Sequence, residues 1–214
     1  MNNRVLIVDD HEIIRRGLVQ VLKDLNESNQ FDEANDGPSA MQKLRKAQYN
    51  AVLLDIALGE RDGFDLLKSI RNEFPELGVV MLSVYPESQF AVRAIRSGAH
   101  AYLNKGCSPV ELNTALAKAM QGQMYVNSGT ATLLAMDIRC PTGRAPHEKL
   151  SNRELEVLRA LAVGQTISEI ASQLNLSSNT VSTYRTRVFE KLGLKNLVDL
   201  VNYARQHGLD MPVH

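Results

Sequence analysis

Five polar side chains follow predicted strands in the first half of the chain, where they could carry out phosphoryl chemistry. In chain order they are Asp9 and Asp10, Asp55, Ser83 and Lys105. Because the carboxyl ends of parallel strands meet along one edge of a sheet, we expect these groups to converge. Three neighbouring carboxylates repel one another, and Mg²⁺, which prefers oxygen ligands, would neutralise that repulsion. A lysine and a hydroxyl beside the metal could bind the oxygens of a phosphoryl group.

Each of these residues also has an ordinary structural interpretation. An aspartate pair after a strand often caps a helix or lies in a solvated turn. Ser83 or Lys105 alone would indicate nothing. It is their joint placement at four strand ends that favours a site for Mg²⁺ and a phosphoryl group.

The elements that must position these side chains alternate along residues 1–121. Five short apolar runs have the composition of buried strands: Val5–Val8, a weaker one around Phe31, Ala51–Leu54, Val79–Leu82 and Ala101–Leu103. The segments that follow these runs carry apolar residues at helical spacing. This alternation predicts an α/β domain of (βα)5 type, with a doubly wound parallel sheet covered on both faces.

Residues 122–148 have a different character and are interpreted as a linker. Glycine and proline interrupt the pattern there, and a short apolar stretch predicts one helix over Thr130–Ile138. No stretch of the chain is apolar enough to predict a membrane span, and no segment resembles a signal peptide. We therefore expect a cytoplasmic protein that does not associate with membranes.

Residues 149–214 contain no strand pattern and predict an all-α domain of four helices. Three helix starts carry capping residues, which are Ser151 with Glu154, Thr166 with Glu169, and Ser177. A short second helix, a turn and a longer third helix form a helix-turn-helix arrangement. Hydroxyl side chains near the start of the third helix and basic ones further along suit the major groove of DNA. A small protein-binding domain with a solvated basic face is the alternative interpretation.

The first domain resembles the receiver domain of two-component response regulators, over about residues 1–121. The matching segments are Val8-Asp9-Asp10, Leu54-Asp55, Asp62-Gly63, Leu82-Ser83 and Tyr102-Leu103-Asn104-Lys105. The resemblance implies a flavodoxin-like fold, and it implies that Asp55 accepts a phosphoryl group from a sensor histidine kinase or a phosphotransfer protein.

The same resemblance implies a role for each neighbouring group. Mg²⁺ would be bound, directly or through water, by Asp9, Asp10, Asp55 and the backbone carbonyl of Ala57. Lys105 would pair with the acidic centre, and Ser83 would bond a phosphoryl oxygen and move with it. Tyr102 would be an aromatic switch that turns inward as Ser83 moves.

The second domain resembles the LuxR-type helix-turn-helix over residues 149–209. Together the two domains resemble the NarL/FixJ class of response regulators, and the stretch from Thr180 to Arg187 is most similar to regulators of the BvgA/EvgA kind. The resemblance implies that three side chains face base edges, namely Ser182, Thr183 and Thr186. It places six near phosphates, namely Asn179, Thr180, Tyr184, Arg185, Arg187 and Lys191. It also implies a homodimer that binds a roughly two-fold site in double-stranded DNA.

The charge distribution agrees with a metal-binding and phosphoryl-binding first domain and a DNA-binding second domain. The chain carries 24 basic and 24 acidic side chains, and a net charge of zero taken alone argues against a nucleic-acid partner. The net charge of zero is the sum of two opposite charges, because residues 1–126 carry −2 and residues 127–214 carry +2. So small an excess predicts weak non-specific binding and reliance on dimerisation.

Two other classes of protein remain open from the residues. One is a phosphate-metabolising enzyme, although such phosphatases usually carry a second aspartate two residues after the nucleophile, where this chain has Ala57. The other is a pseudo-receiver that dimerises without phosphate, although no acidic group or lysine is missing. We predict a regulator that assists its own phosphoryl transfer and hydrolysis, and not a turnover enzyme.

Overall fold

The computed structural model describes residues 3–26, 28–58, 61–139, 146–174 and 176–209. The chain divides into two compact units, residues 1–141 and 142–214. Each unit is described by itself below. Among the described residues, no helix has both the length and the apolar character that crossing a bilayer requires.

A five-stranded parallel sheet forms the centre of the first unit, which confirms the predicted fold class. Its strands are β1 (Arg4–Val8), β2 (Gln30–Ala34), β3 (Ala51–Asp55), β6 (Gly78–Ser83) and β7 (Ala101–Asn104). Their spatial order is β2-β1-β3-β6-β7, so the chain reverses direction across the sheet after β2. Between β3 and β6 the chain also forms a short antiparallel ribbon. Its two strands, of two residues each, are β4 (Ala57–Leu58) and β5 (Arg61–Asp62).

Five helices cover the sheet of the first unit. They are α1 (Glu12–Leu25), α2 (Gly37–Lys46), α3 (Gly63–Glu73), α4 (Glu87–Arg96) and α5 (Pro109–Met120). On one face Leu22 of α1 and Leu116 of α5 pack in a core with strand residues such as Ile7. The alternate strand residues are buried as well, among them Leu6 and Leu54. Burial on both faces explains why β1, β3, β6 and β7 are largely apolar, whereas the edge strand β2 is polar at three of its five positions and only partly buried.

A sixth helix, α6 (Ser128–Arg139), packs against α4 within the first unit. The side-chain oxygen of Asn127 accepts the backbone N–H of Thr130, and Thr130 is almost completely buried. Near the other end, Asp137 forms an ion pair with Arg96 of α4. The predicted helix is therefore present, two residues longer at its start and one residue longer at its end, and it belongs to the first unit. Residues 140–145 of the predicted linker lie outside the described residues.

Among its described residues, the second unit contains four α-helices, as the sequence predicts. A 3₁₀ turn (Pro146–Lys149) precedes α7 (Asn152–Ala162), α8 (Ile167–Leu174), α9 (Ser178–Leu192) and α10 (Leu197–Gln206). The predicted caps are confirmed at Ser151, Thr166 and Ser177, and Gly193 ends α9 in the left-handed conformation at φ 66°. Buried apolar side chains from all four helices form the core, including Leu158, Ile170, Val181 and Leu200.

The capping box of α7 is tied to α9 by a buried carboxylate. Glu154 is 2% exposed, and its Oε2 accepts from the Ser151 N–H at 2.7 Å and from Lys191 Nζ at 2.6 Å. We expect Glu154→Ala to lower the free energy of opening of α7 and α9 by about 2 kcal/mol, because a cap and an ion pair are lost together. Hydrogen exchange of the amides in these helices measures this. Glu169→Ala, in the exposed capping box of α8, is the control and should have a smaller effect.

Candidate functional site

The acidic side chains that follow β1 and that end β3 converge at the carboxyl edge of the sheet. Asp9 is 1% exposed and Asp55 is 4% exposed, whereas Asp10 points outward. Lys105, which follows β7, lies between the two buried carboxylates, with its Nζ 2.7 Å from Asp9 Oδ2 and 2.8 Å from Asp55 Oδ2. β1 and β3 are the strands at which the order of the sheet reverses, which is where ligands bind in doubly wound sheets.

Burial sets the electrostatics of this edge. It raises the pKa of Asp55 to about 6, although the Lys105 ammonium pulls that pKa down and the Asp9 carboxylate adds to the increase. For Lys105, burial pulls the pKa down, but the carboxylates of Asp55 and Asp9 outweigh it and leave the pKa above its usual value. Lys105 is therefore a fixed cation beside a carboxylate that is costly to ionise.

The donor set at this edge fits a hard divalent cation. One ligand atom from each of Asp9, Asp10, His11 and Asp55 can be chosen so that all lie within 4.8 Å of one another. Asp55 Oδ2 is buried without a well-aligned hydrogen bond of its own. Three carboxylates supply the oxygen ligands that Mg²⁺ prefers, and the exposed Asp10 leaves the site open to water. Ala57, whose carbonyl the resemblance adds to this set, begins β4 two residues after Asp55.

Ser83 and Tyr102 both bind the backbone of Tyr85 next to this edge. Ser83 is 1% exposed at the end of β6, and its hydroxyl oxygen accepts the N–H of Tyr85 at 3.1 Å. Tyr102 is turned inward at 2% exposure, and its hydroxyl donates to the carbonyl oxygen of Tyr85 at 2.9 Å. Burial raises the pKa of the Tyr102 phenol, so this hydroxyl remains a donor at neutral pH.

Two residues near the site were not assigned a role from the sequence. His11 is the residue immediately before α1, where its side chain makes no capping hydrogen bond, and its Nδ1 lies 2.7 Å from Asp10 Oδ1. The side-chain amide of Asn104 donates to the carbonyl oxygens of Val84 and Tyr85. Position alone marks them in the sequence, since His11 follows the aspartate pair and Asn104 precedes Lys105.

The helix α9 presents most of the predicted DNA contacts on its exposed side. Asn179, Thr183, Arg185, Thr186 and Arg187 are exposed, and Thr180 and Ser182 are half-buried. Two predicted phosphate contacts are placed differently. Tyr184 is 8% exposed and lies in the core, and the Lys191 ammonium is paired with Glu154.

Comparison with known proteins identifies both units. The family model described as "Response regulator receiver domain" matches residues 5–117, and the model described as "Bacterial regulatory proteins, luxR family" matches residues 148–204. The chain therefore belongs to the response-regulator family, with a receiver domain followed by a LuxR-type DNA-binding domain. It is a phosphorylation-activated regulator of transcription and not an enzyme in the ordinary sense.

Individual relatives cover nearly the whole chain. It is 34% identical to "Response regulator UvrY" of Escherichia coli (strain K12) over 206 residues, which is 96% of this chain and 94% of that protein. It is 36% identical to "Fimbriae Z protein" of Salmonella typhimurium, over 96% of this chain and 97% of that one. The structure of RcsB from Salmonella enterica serovar Typhimurium, bound to promoter rprA in the presence of phosphomimetic BeF3-, matches with a TM-score of 0.58 at 28% identity. That match covers 95% of this chain and 98% of RcsB. The closeness to BvgA/EvgA-type regulators stays a prediction.

Mg²⁺ should stabilise the first unit through Asp10. A ligand that binds only the folded state adds about 2.7 kcal/mol to the free energy of unfolding when its concentration is about 100 times its dissociation constant. We expect Asp10→Asn to lose most of that gain in a thermal unfolding experiment with and without Mg²⁺. Glu12→Gln is the matched control, because Glu12 is a nearby exposed carboxylate paired with Arg16. Equal gains in the two variants would contradict the assignment of Asp10 as a ligand.

Proposed function

We propose that Asp55 is the phosphoryl acceptor of this response regulator and that its phosphorylation controls DNA binding by α9. The observation that carries the proposal is the placement of Lys105 Nζ between Asp9 and Asp55 at the edge where the strand order reverses. The donor is a phosphohistidine of a sensor histidine kinase or of a phosphotransfer protein. The regulator acts in the cytoplasm, where such kinases and DNA are both accessible.

The geometry supports a direct transfer. A carboxylate oxygen of Asp55 attacks phosphorus, the P–N bond of the donor breaks, and the departing imidazole nitrogen takes a proton from solvent. Asp9, Asp10, Asp55 and the Ala57 carbonyl would hold Mg²⁺, which when bound would supply positive charge to offset that on the phosphoryl oxygens. Lys105 supplies a second, fixed positive charge, and the Ser83 hydroxyl donates to a phosphoryl oxygen after turning from Tyr85. Hydrolysis of the acyl phosphate by water later returns the carboxylate.

The output of the switch is a dimer on DNA. We propose that receivers occupying residues 1–121 pair after phosphorylation, and that residues 122–148 connect them to DNA-binding domains at 149–214. The exposed side of α9 enters the major groove, where Ser182, Thr183 and Thr186 approach base edges. The solved RcsB complexes, which contain DNA and dimers of that protein, support this mode of binding. One small domain makes few contacts, so pairing two domains raises the affinity.

The remaining predicted contacts are assigned to phosphates. These residues are Asn179, Thr180, Arg185 and Arg187, which lie on α9 and would flank the groove. Tyr184 is 8% exposed in the core and the Lys191 ammonium is paired with Glu154, so both side chains also support the fold. Their substitution should therefore affect folding as much as DNA binding.

The experiment that tests the proposal is selection of random DNA duplexes by the full chain, with and without acetyl phosphate and Mg²⁺. Sedimentation on the same samples reports the oligomeric state. We expect phosphorylation to enrich duplexes with two related half-sites and to shift the protein from monomer to dimer. A phosphorylated protein that stays monomeric and selects the same duplexes as before would refute the proposal.

A further inference from the structure

The loop between β6 and α4 is held by side chains of the neighbouring strand β7. This loop, residues 84–86, begins directly after Ser83 and belongs to neither element. Its backbone polar groups therefore need partners from elsewhere. The side-chain nitrogen of Asn104 donates to the carbonyl oxygens of Val84 and Tyr85, at 3.2 Å in each case. Asn104 thus holds two successive peptide groups of the loop.

Asn104 also connects this loop to the turn that carries Lys105. Its side-chain oxygen accepts the N–H of Gly106 at 2.8 Å. In the sheet, Asn104 is the residue paired with Ser83, so it stands beside the switch hydroxyl at the edge of the site. One amide group therefore has two separable roles, because its nitrogen holds the 84–86 loop and its oxygen shapes the turn after β7.

Asn104 and the inward-turned Tyr102 bind the same conformation of the loop. The Tyr102 hydroxyl donates to the Tyr85 carbonyl oxygen, which is also one of the two acceptors of Asn104. Two groups that bind the same conformation favour each other, because each raises the population of the state that the other needs. Removal of the Asn104 donors should therefore make the inward position of Tyr102 less favourable.

We propose that Asn104 is a positioning residue of the phosphoryl switch, which latches the 84–86 loop in the conformation that accepts the inward Tyr102. Asn104 contacts none of the reacting atoms and acts through the loop that leads from Ser83. The proposal rests on the proposed function, since it takes Asp55 as the acceptor and Ser83 and Tyr102 as the groups that respond. The proposal adds Asn104 to the residues of the switch, through the two hydrogen bonds that its side-chain nitrogen donates to the loop.

Two variants of the full chain separate the roles of Asn104. Asn104→Asp has nearly the same shape and keeps an oxygen that accepts from Gly106, but it turns a carboxylate oxygen toward the two loop carbonyls. Asn104→Ala loses both contacts and adds no charge. In protein labelled with fluorotyrosine, the ¹⁹F resonance of Tyr102 is assigned by Tyr102→Phe. We expect both variants to move this resonance toward that of an exposed tyrosine and to slow phosphoryl uptake from acetyl phosphate with Mg²⁺ about fivefold.

The outcomes discriminate clearly. A Tyr102 resonance and an uptake rate unchanged in Asn104→Asp would overturn the latch, whether or not Asn104→Ala is impaired. An unchanged resonance of Tyr49, in the same unit, verifies that each variant is folded. If the wild-type chain takes up no phosphoryl group, the proposed function fails, while the Tyr102 resonance, which requires no phosphate, still decides whether Asn104 latches the loop.

Discussion

Replacing Asp55 with asparagine is expected to abolish phosphoryl uptake and, in buffer without Mg²⁺, to stabilise the first unit. Burial raises the pKa of Asp55 from 3.8 to about 6, so ionising this carboxyl costs folding free energy. The corresponding stability is present below pH 3.8, declines as the pH rises through 6 and is absent at pH 7.5. The cost is at most about 3 kcal/mol, and the loss of one Lys105 partner reduces the net gain to about 1–2 kcal/mol.

The measurements are mass spectrometry after treatment with acetyl phosphate, and thermal unfolding with a chelator at pH 7.5 and at pH 5. The stabilisation by Asp55→Asn should shrink at pH 5, because Asp55 of the wild-type protein is then largely protonated. Asp65→Asn, which changes an exposed carboxylate in the first turn of α3, should leave both properties unchanged. If Asp55→Asn took up as much phosphoryl group as the wild-type protein, Asp55 would not be the acceptor.

Reversing the charge of Arg187 is expected to weaken DNA binding by about 100-fold at physiological salt without changing phosphorylation. Arg187 is exposed on α9, where its guanidinium can approach a phosphate. A dimer would lose two phosphate contacts, so the slope of log affinity against log salt should fall by about 2. Fluorescence anisotropy of a labelled duplex over a series of salt concentrations measures both quantities.

The control for Arg187→Glu is Arg205→Glu, which reverses an exposed cation in the last turn of α10. Both variants change the net charge of the second unit by the same amount. A general electrostatic effect would weaken DNA binding equally in both variants. A direct contact by Arg187 would weaken it in Arg187→Glu alone. Equal losses would contradict the placement of α9 in the groove.

The sheet and the site edge could be predicted because their signals are local. Strands buried on both faces are apolar almost without interruption, and Asp55 ends one such strand while Lys105 directly follows another. The all-helical second unit could be predicted for the same reason, since Ser151 and Glu154 sit at the fixed spacing of a capping box.

The features that could not be predicted depend on contacts between distant segments. The packing of α6 on α4 joins Asp137 to Arg96, and the pairing of Lys191 with Glu154 joins residues 37 positions apart. The β4–β5 ribbon is too short to show any periodicity. The role of Asn104 depends on where the 84–86 loop places its carbonyl groups, which side-chain types do not report.

The most direct test of phosphorylation-controlled DNA binding compares the wild-type chain with Asp55→Asn on one selected duplex. Anisotropy titrations are performed with Mg²⁺, with and without acetyl phosphate. The wild-type affinity should increase by about tenfold on phosphorylation, because a dimer engages both half-sites at once. The affinity of Asp55→Asn should not respond to acetyl phosphate. An equal increase for Asp55→Asn, or no increase for wild-type protein shown to be phosphorylated, would contradict the account.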